Sequence, residues 1–183
     1  DRFQAFYTAR KRNLGWATPE DVADYLRESR IVEDPAVRLR YLTDTTAAER
    51  EEIMALVAQA GTVPDAVETV YPALWDYWRM FSFSGSGDLD TRLSSYFRDY
   101  KRQKVLGILE DGFSDMVRDL AEVRPQFELP PRESVLENIG FANAVLCWVD
   151  ALGCEFLGFI RTAAQRLGLK IKVTPSRAKL PSI

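Results

Sequence analysis

Ala144-Val-Leu-Cys-Trp-Val149, Cys154 to Leu167 and Leu169-Lys-Ile-Lys-Val-Thr174 form the part of this chain whose reading decides its fold. The first segment is a continuous apolar run with β-branched and aromatic members. It is too short for a globular helix and suits a strand covered on both faces. Cys154 to Leu167 has helical character and stops at Gly168. Leu169 to Thr174 alternates as a strand does. Strand, helix and strand within about thirty residues predict a right-handed βαβ unit with parallel strands. Such a pair has two open edges and little to cover it. The expected fold is therefore mostly α: a helical domain over 1–140, then a single βαβ unit over 141–183 that reads as the truncated start of an α/β domain.

Upstream, the signals are helical. Thr18-Pro19-Glu20-Asp21 is a helix start, with a cap, a proline at the first helical position and acids that favour the helix dipole. Asp34-Pro35 repeats it for a short helix expected through Leu42. Thr46 and Glu49 have capping-box spacing, followed by apolar Ile53, Leu56 and Val57, with Gly61 as the stop. Pro64-Asp65 opens a further stretch that Pro72 must kink or divide.

Tyr71, Leu74, Trp75, Trp78 and Phe81 have the spacing of a buried helix seam, with a base-stacking platform as the rarer alternative. A long helix is expected from Leu89 past Tyr100. Its basic cluster of Arg98, Lys101, Arg102 and Lys104 reads as a solvated face. Breaks are expected near 61–64, 82–88 and 129–131, the last at Leu129-Pro130-Pro131 ahead of a short helix to Ile139.

The 183 residues are 46% hydrophobic and 28% charged, which excludes collagen-like, low-complexity and disulfide-scaffold classes. No histidine is present, so this chain alone builds no Ser-His-Asp or Cys-His site and no His-containing metal site. Cys147 and Cys154 form no C-x-x-C pair and read as buried free thiols. Residues 141–160 are hydrophobic enough to suggest a membrane span. However, Asp150 at their centre would cost about 2.5–3.5 kcal/mol on insertion scales, and the span is rejected. The chain opens on Asp1, so no targeting signal is read there, and the expected location is cytoplasmic.

The net charge of −3 is uneven. From Phe156 to Ile183 there are six basic residues and no acid, leaving a net of −9 on residues 1–155. A basic tail on an acidic body is compatible with phosphate or nucleic acid, and equally with solvated flanks. Asp150 is the position to single out for chemistry. It ends the predicted first strand, where α/β folds place ligand-binding residues. A carboxylate there needs a partner or a cation, unless it caps the following helix.

Leu146-Cys-Trp-Val-Asp150-Ala-Leu-Gly153-Cys-Glu-Phe-Leu-Gly-Phe-Ile160, followed by Arg177-Ala-Lys-Leu-Pro-Ser-Ile183, resembles the opening of a PglZ domain. Tyr96-Phe-Arg-Asp-Tyr-Lys-Arg-Gln-Lys-Val105 and the Leu129-Pro-Pro-Arg132 lead-in extend the likeness more loosely. PglZ proteins belong to bacterial BREX phage-defence systems and are similar to the alkaline-phosphatase superfamily. The resemblance implies that Asp150 is a ligand to one of two divalent cations (zinc, magnesium or manganese) in the complete protein. It puts the Ser or Thr nucleophile just beyond Ile183, with Ser182 only its neighbour, so no catalytic residue lies within the chain.

A lone carboxylate cannot hold a dinuclear site, so this stretch is expected to be inactive by itself within a metal-dependent phosphatase-like or phosphodiesterase-like protein. The alternative is a helical interaction module or scaffold without catalysis. Other BREX components are the expected partners. Nucleic acid is a further candidate, and no membrane is implied.

Overall fold

The computed structural model describes residues 2–13, 17–80, 88–137, 139, 145, 147, 149, 152–171, 173–174 and 176–177. The protein is mostly helical. The α-helices are α1 (Arg2–Asn13), α2 (Pro19–Ser29), α3 (Pro35–Leu39), α4 (Ala47–Ala60), α5 (Val67–Val70), α6 (Pro72–Trp78), α7 (Asp88–Leu106), α8 (Asp111–Val123), α9 (Arg132–Glu137) and α10 (Leu157–Arg166). Short 3-10 turns cover Pro125–Glu128 and Cys154–Phe156. Contacts divide the chain into two compact units, one of residues 1–79 with 101–108 and the other of 80–100 with 109–183.

In the first unit, helix starts follow local chemistry. Thr18 Oγ1 accepts from the Asp21 N–H at 3.2 Å, and the Thr18 N–H donates to Asp21 Oδ2 at 2.9 Å, completing a capping box. Asp34 Oδ1 accepts from the Ala36 N–H at 2.9 Å ahead of α3, which ends at Leu39 and not at the expected Leu42. It ends early because the N–H groups of Arg40, Tyr41 and Leu42 each reach back only three residues, the tighter 3-10 pattern.

Thr46 caps α4, which Gly61 closes with φ +66°, a left-handed conformation that glycine adopts at least cost. Pro72 has no N–H to continue α5 and opens α6 as a separate helix. Leu26, Leu39, Ile53, Val57, Val70 and Val105 belong to the buried core, with α4 packed on α2 and α3. Trp75 and Trp78 pack against that core and Leu74 is inside it, so the aromatic run is a seam. Phe81 lies outside the described residues.

The Thr18 backbone N–H, and then its hydroxyl, hold the Asp21 carboxyl below its ordinary pKa. A lowered folded pKa means the carboxylate's contribution is present above the unfolded value and lost as pH falls through the folded one. Asp21→Asn is therefore expected to flatten the acid limb of the pH–stability curve. Thermal melts between about pH 2 and pH 5 check this, and an unchanged limb would mean the box contributes nothing.

In the second unit, α7 runs to its division point at Tyr100, α8 ends at a left-handed Arg124 (φ +50°), and α9 follows Pro131. Among the described residues, the helix of the expected βαβ unit is seen and its strands are not. The described residues 145, 147, 149, 169–171, 173 and 174 belong to no strand, and Ala144, Leu146, Trp148 and Lys172 lie outside the described residues. Val145 is 89% exposed and Val149 65%, so these side chains are not covered as a two-faced strand would require. An apolar run signals that burial is favourable, but a parallel pair needs flanking elements to supply it.

The pairing that is described lies elsewhere. Pro131 and Arg177 form an isolated parallel bridge. The Arg132 N–H donates to the Arg177 carbonyl at 2.9 Å, and the Arg177 N–H to the Pro130 carbonyl at 3.0 Å. Arg177 Nε adds a bond to the Leu129 carbonyl at 3.1 Å.

Candidate functional site

Asp150 lies outside the described residues. Those just after it place a small polar constellation in the second unit. Glu155 is buried at the turn into α10, and a Cβ at Gly153 would collide with its carboxylate. Burial, and then the Glu155 charge, raise the Cys154 pKa. Burial also raises the Tyr96 pKa, with Tyr100 and Glu155 adding to the shift. Both groups therefore stay protonated through neutral pH, and neither is an activated nucleophile.

Cys147 and Cys154 are free thiols, and both keep exposed surface, which corrects the expectation of buried ones. The described residues 145, 147 and 149 are exposed, and Cys154 sits at the surface turn that starts the helix. Among the described residues, no three His, Cys, Asp or Glu side chains come together in a group that could hold a metal ion.

Tyr96 is also the hub of an aromatic cluster. Its ring stands edge-on to Phe97 at 5.0 Å and stacks with Tyr100 at 6.1 Å and with Phe113 of α8 at 5.8 Å. Beside it, a cavity of about 240 Å³ is lined by Leu93, Tyr96 and Phe97 of α7, Val117 and Leu120 of α8, and Pro125. Such a lining can take an apolar side chain or a small ring.

The expected solvated basic face of α7 needs correcting. Lys101 is 1% exposed, with its Nζ donating to the Arg79 carbonyl at 2.8 Å and lying 5.3 Å from the Tyr77 ring centroid. Arg98 Nε pairs with the Asp99 carboxylate at 3.0 Å, and Lys104 is exposed. Lys101 falls in the row Phe97, Lys101, Val105 at helical spacing, a signal that could have placed it inside.

A second polar centre, in the first unit, was only half visible in the sequence. Glu49 is fully buried. Its Oε1 accepts from the Thr43 N–H at 3.2 Å and from Arg10 at 3.4 Å, and its Oε2 from the Thr43 and Thr46 hydroxyls at 3.1 and 3.2 Å. The Arg10 guanidinium lies over the Tyr25 ring, 3.1 Å from its centroid. The capping-box spacing anticipated the Thr46 bond. The position of Glu49 on the Ile53, Leu56 and Val57 face was the unused signal for its burial.

Among known proteins, a family described as a domain of unknown function (DUF7863) matches residues 1–60. That segment contains α1 to α4 and the whole Glu49 centre, and lies apart from the 146–183 motifs. No curated protein and no solved structure matches the chain.

Proposed function

We propose that residues 141–183 are the opening of a PglZ-like domain in a metal-dependent phosphatase-like or phosphodiesterase-like protein of a BREX phage-defence system, with the preceding helices as its interaction region. The observation that carries the reading is the pair of motifs, Val149-Asp-Ala-Leu-Gly153 and Arg177-Ala-Lys-Leu-Pro-Ser-Ile183, separated by a helix that a left-handed Gly168 (φ +69°) stops. The strand–helix–strand arrangement belongs to the same proposal, with both strands completed by further elements of the α/β domain.

Asp150 would then give a hard carboxylate to one divalent cation, which lowers the pKa of an attacking group and offsets phosphoryl charge. By the same resemblance the nucleophile lies just beyond Ile183, so hydrolysis is assigned to the complete protein and not to these residues alone.

In the complete protein, Asp150→Ala is expected to abolish metal-dependent cleavage of bis-p-nitrophenyl phosphate while leaving the circular dichroism and melting temperature unchanged. Retained activity would overturn the ligand role. Unfolding would make Asp150 a structural cap instead.

The second reading is an interaction module without catalysis, and the exposed apolar side chains Val117, Val123, Phe159, Leu167 and Leu169 favour it. It predicts that Asp150→Ala leaves co-purification with the other defence components intact. A nucleic-acid role for the basic residues predicts affinity that falls steeply with salt.

A further inference from the structure

Three elements of the first unit meet at one carboxylate. Glu52 of α4 pairs through Oε2 with Nη2 of Arg30, the residue that closes α2, at 3.3 Å. Its Oε1 pairs with Nη2 of Arg38 on α3. Among the described residues, Glu52 is the one carboxylate paired with either arginine. Two guanidinium cations against one carboxylate leave an excess of one positive charge.

That excess is partly withdrawn from water. The Arg38 side chain is 12% exposed and that of Glu52 15%. Arg38 Nε is buried without an acceptor, which leaves Nη1 as the nitrogen open to solvent. Burial, and then the Arg30 charge, hold the Arg38 pKa below its ordinary value, yet a guanidinium keeps its charge throughout the range in which proteins work. A covered cation without full compensation is costly, and a second anion offsets that cost.

We propose that Arg30 and Arg38 form a binding site for a terminal phosphate, either inorganic phosphate or the phosphate of a small monoester. Phosphate suits the pair because its oxygens lie in more than one plane and accept from two guanidinium groups at once. The recess selects a terminal group: three free oxygens can reach Arg38, whereas a backbone phosphodiester must bring in chain on both sides. Arg30 is exposed and closes over the anion from the solvent side. The site involves neither Asp150 nor a metal, so it stands or falls apart from the phosphatase-like reading.

Isothermal titration calorimetry of the 183-residue chain with inorganic phosphate and with adenosine 5′-monophosphate, at a constant ionic strength of about 0.15 M, tests it. Both ligands are expected to bind with dissociation constants of about 1 mM or tighter and to raise the melting temperature, while acetate does neither. Whichever binds more tightly tells a free anion from an ester. Arg30→Ala, at an exposed position, should keep its circular dichroism and bind at least about tenfold more weakly. Glu52→Gln should bind more tightly than wild type and gain more in melting temperature from phosphate, because the competing carboxylate is gone.

A wild-type chain silent to both ligands at about 20 mM overturns the proposal. So does acetate that binds as tightly as phosphate, or an Arg30→Ala chain that binds as well as wild type. Unimproved binding by Glu52→Gln also overturns it, since the carboxylate then does not compete for the two cations. Duplex DNA that outcompetes the monophosphate, and depends on Arg30, would replace the recessed site with an open nucleic-acid contact.

Discussion

Glu49→Ala is expected to lower the unfolding free energy by about 3–5 kcal/mol, among the largest effects of any single change in the first unit. The carboxylate is fully buried, accepts four hydrogen bonds, and pairs with an Arg10 side chain that is 16% exposed. Truncation strands the buried Thr43 N–H and leaves the Arg10 charge in a largely dry place. Glu49→Gln keeps one acceptor oxygen but turns an amide N–H₂ toward donors, for an expected loss of about 1–3 kcal/mol.

Urea titrations by circular dichroism measure both losses. A cost under about 1 kcal/mol for the alanine variant would mean the bonds merely replace those to water. The Tyr25 hydroxyl gives an independent readout. Burial raises its pKa most, the Glu49 charge adds to the rise, and Arg10 opposes it. A raised folded value means Tyr25's contribution is full below the ordinary tyrosine range and lost as pH rises through the folded pKa. Removing Glu49 while the fold persists should therefore move tyrosine ionisation to lower pH in an alkaline absorbance titration.

Helix starts and stops were legible in the sequence because their causes are local. Thr18, Asp34 and Thr46 cap through their own side chains, Pro72 cannot donate to the helix before it, and Gly61 and Gly168 both adopt positive φ. The end of α8 was harder to see, because Arg124 adopts φ +50° without belonging to a residue type that favours it.

The burial of Lys101 and Glu49 was not legible for a different reason. Residue type predicts exposure only until a partner is found: Lys101 meets the Arg79 carbonyl 22 positions away, and Glu49 meets Arg10 39 positions away as well as the nearby Thr43 and Thr46. The apolar run at 144–149 gave an incentive for burial without its means, and the described members of that run remain exposed. Asp150 was singled out by its position after that run. Its proposed role rests on the motif resemblance, and Asp150 itself lies outside the described residues.

Lys101→Ala should cost the first unit about 3–5 kcal/mol, combining a lost charged hydrogen bond with the space left by a four-carbon stem. The ammonium meets the Arg79 carbonyl just past the end of α6, where a cation is favoured by the helix dipole and by unpaired carbonyls. Its stem crosses a layer that also holds Val105 and Tyr77, so packing and charge act at one residue.

Lys101→Met separates the two, because it keeps most of the stem and removes the donor. Its expected cost is about 1.5–3 kcal/mol. A methionine variant as stable as wild type would assign Lys101 to packing alone. One as damaged as the alanine variant would put the whole effect on the ammonium. The intermediate value is expected because the Arg79 carbonyl loses its charged donor while the apolar contacts around the stem survive.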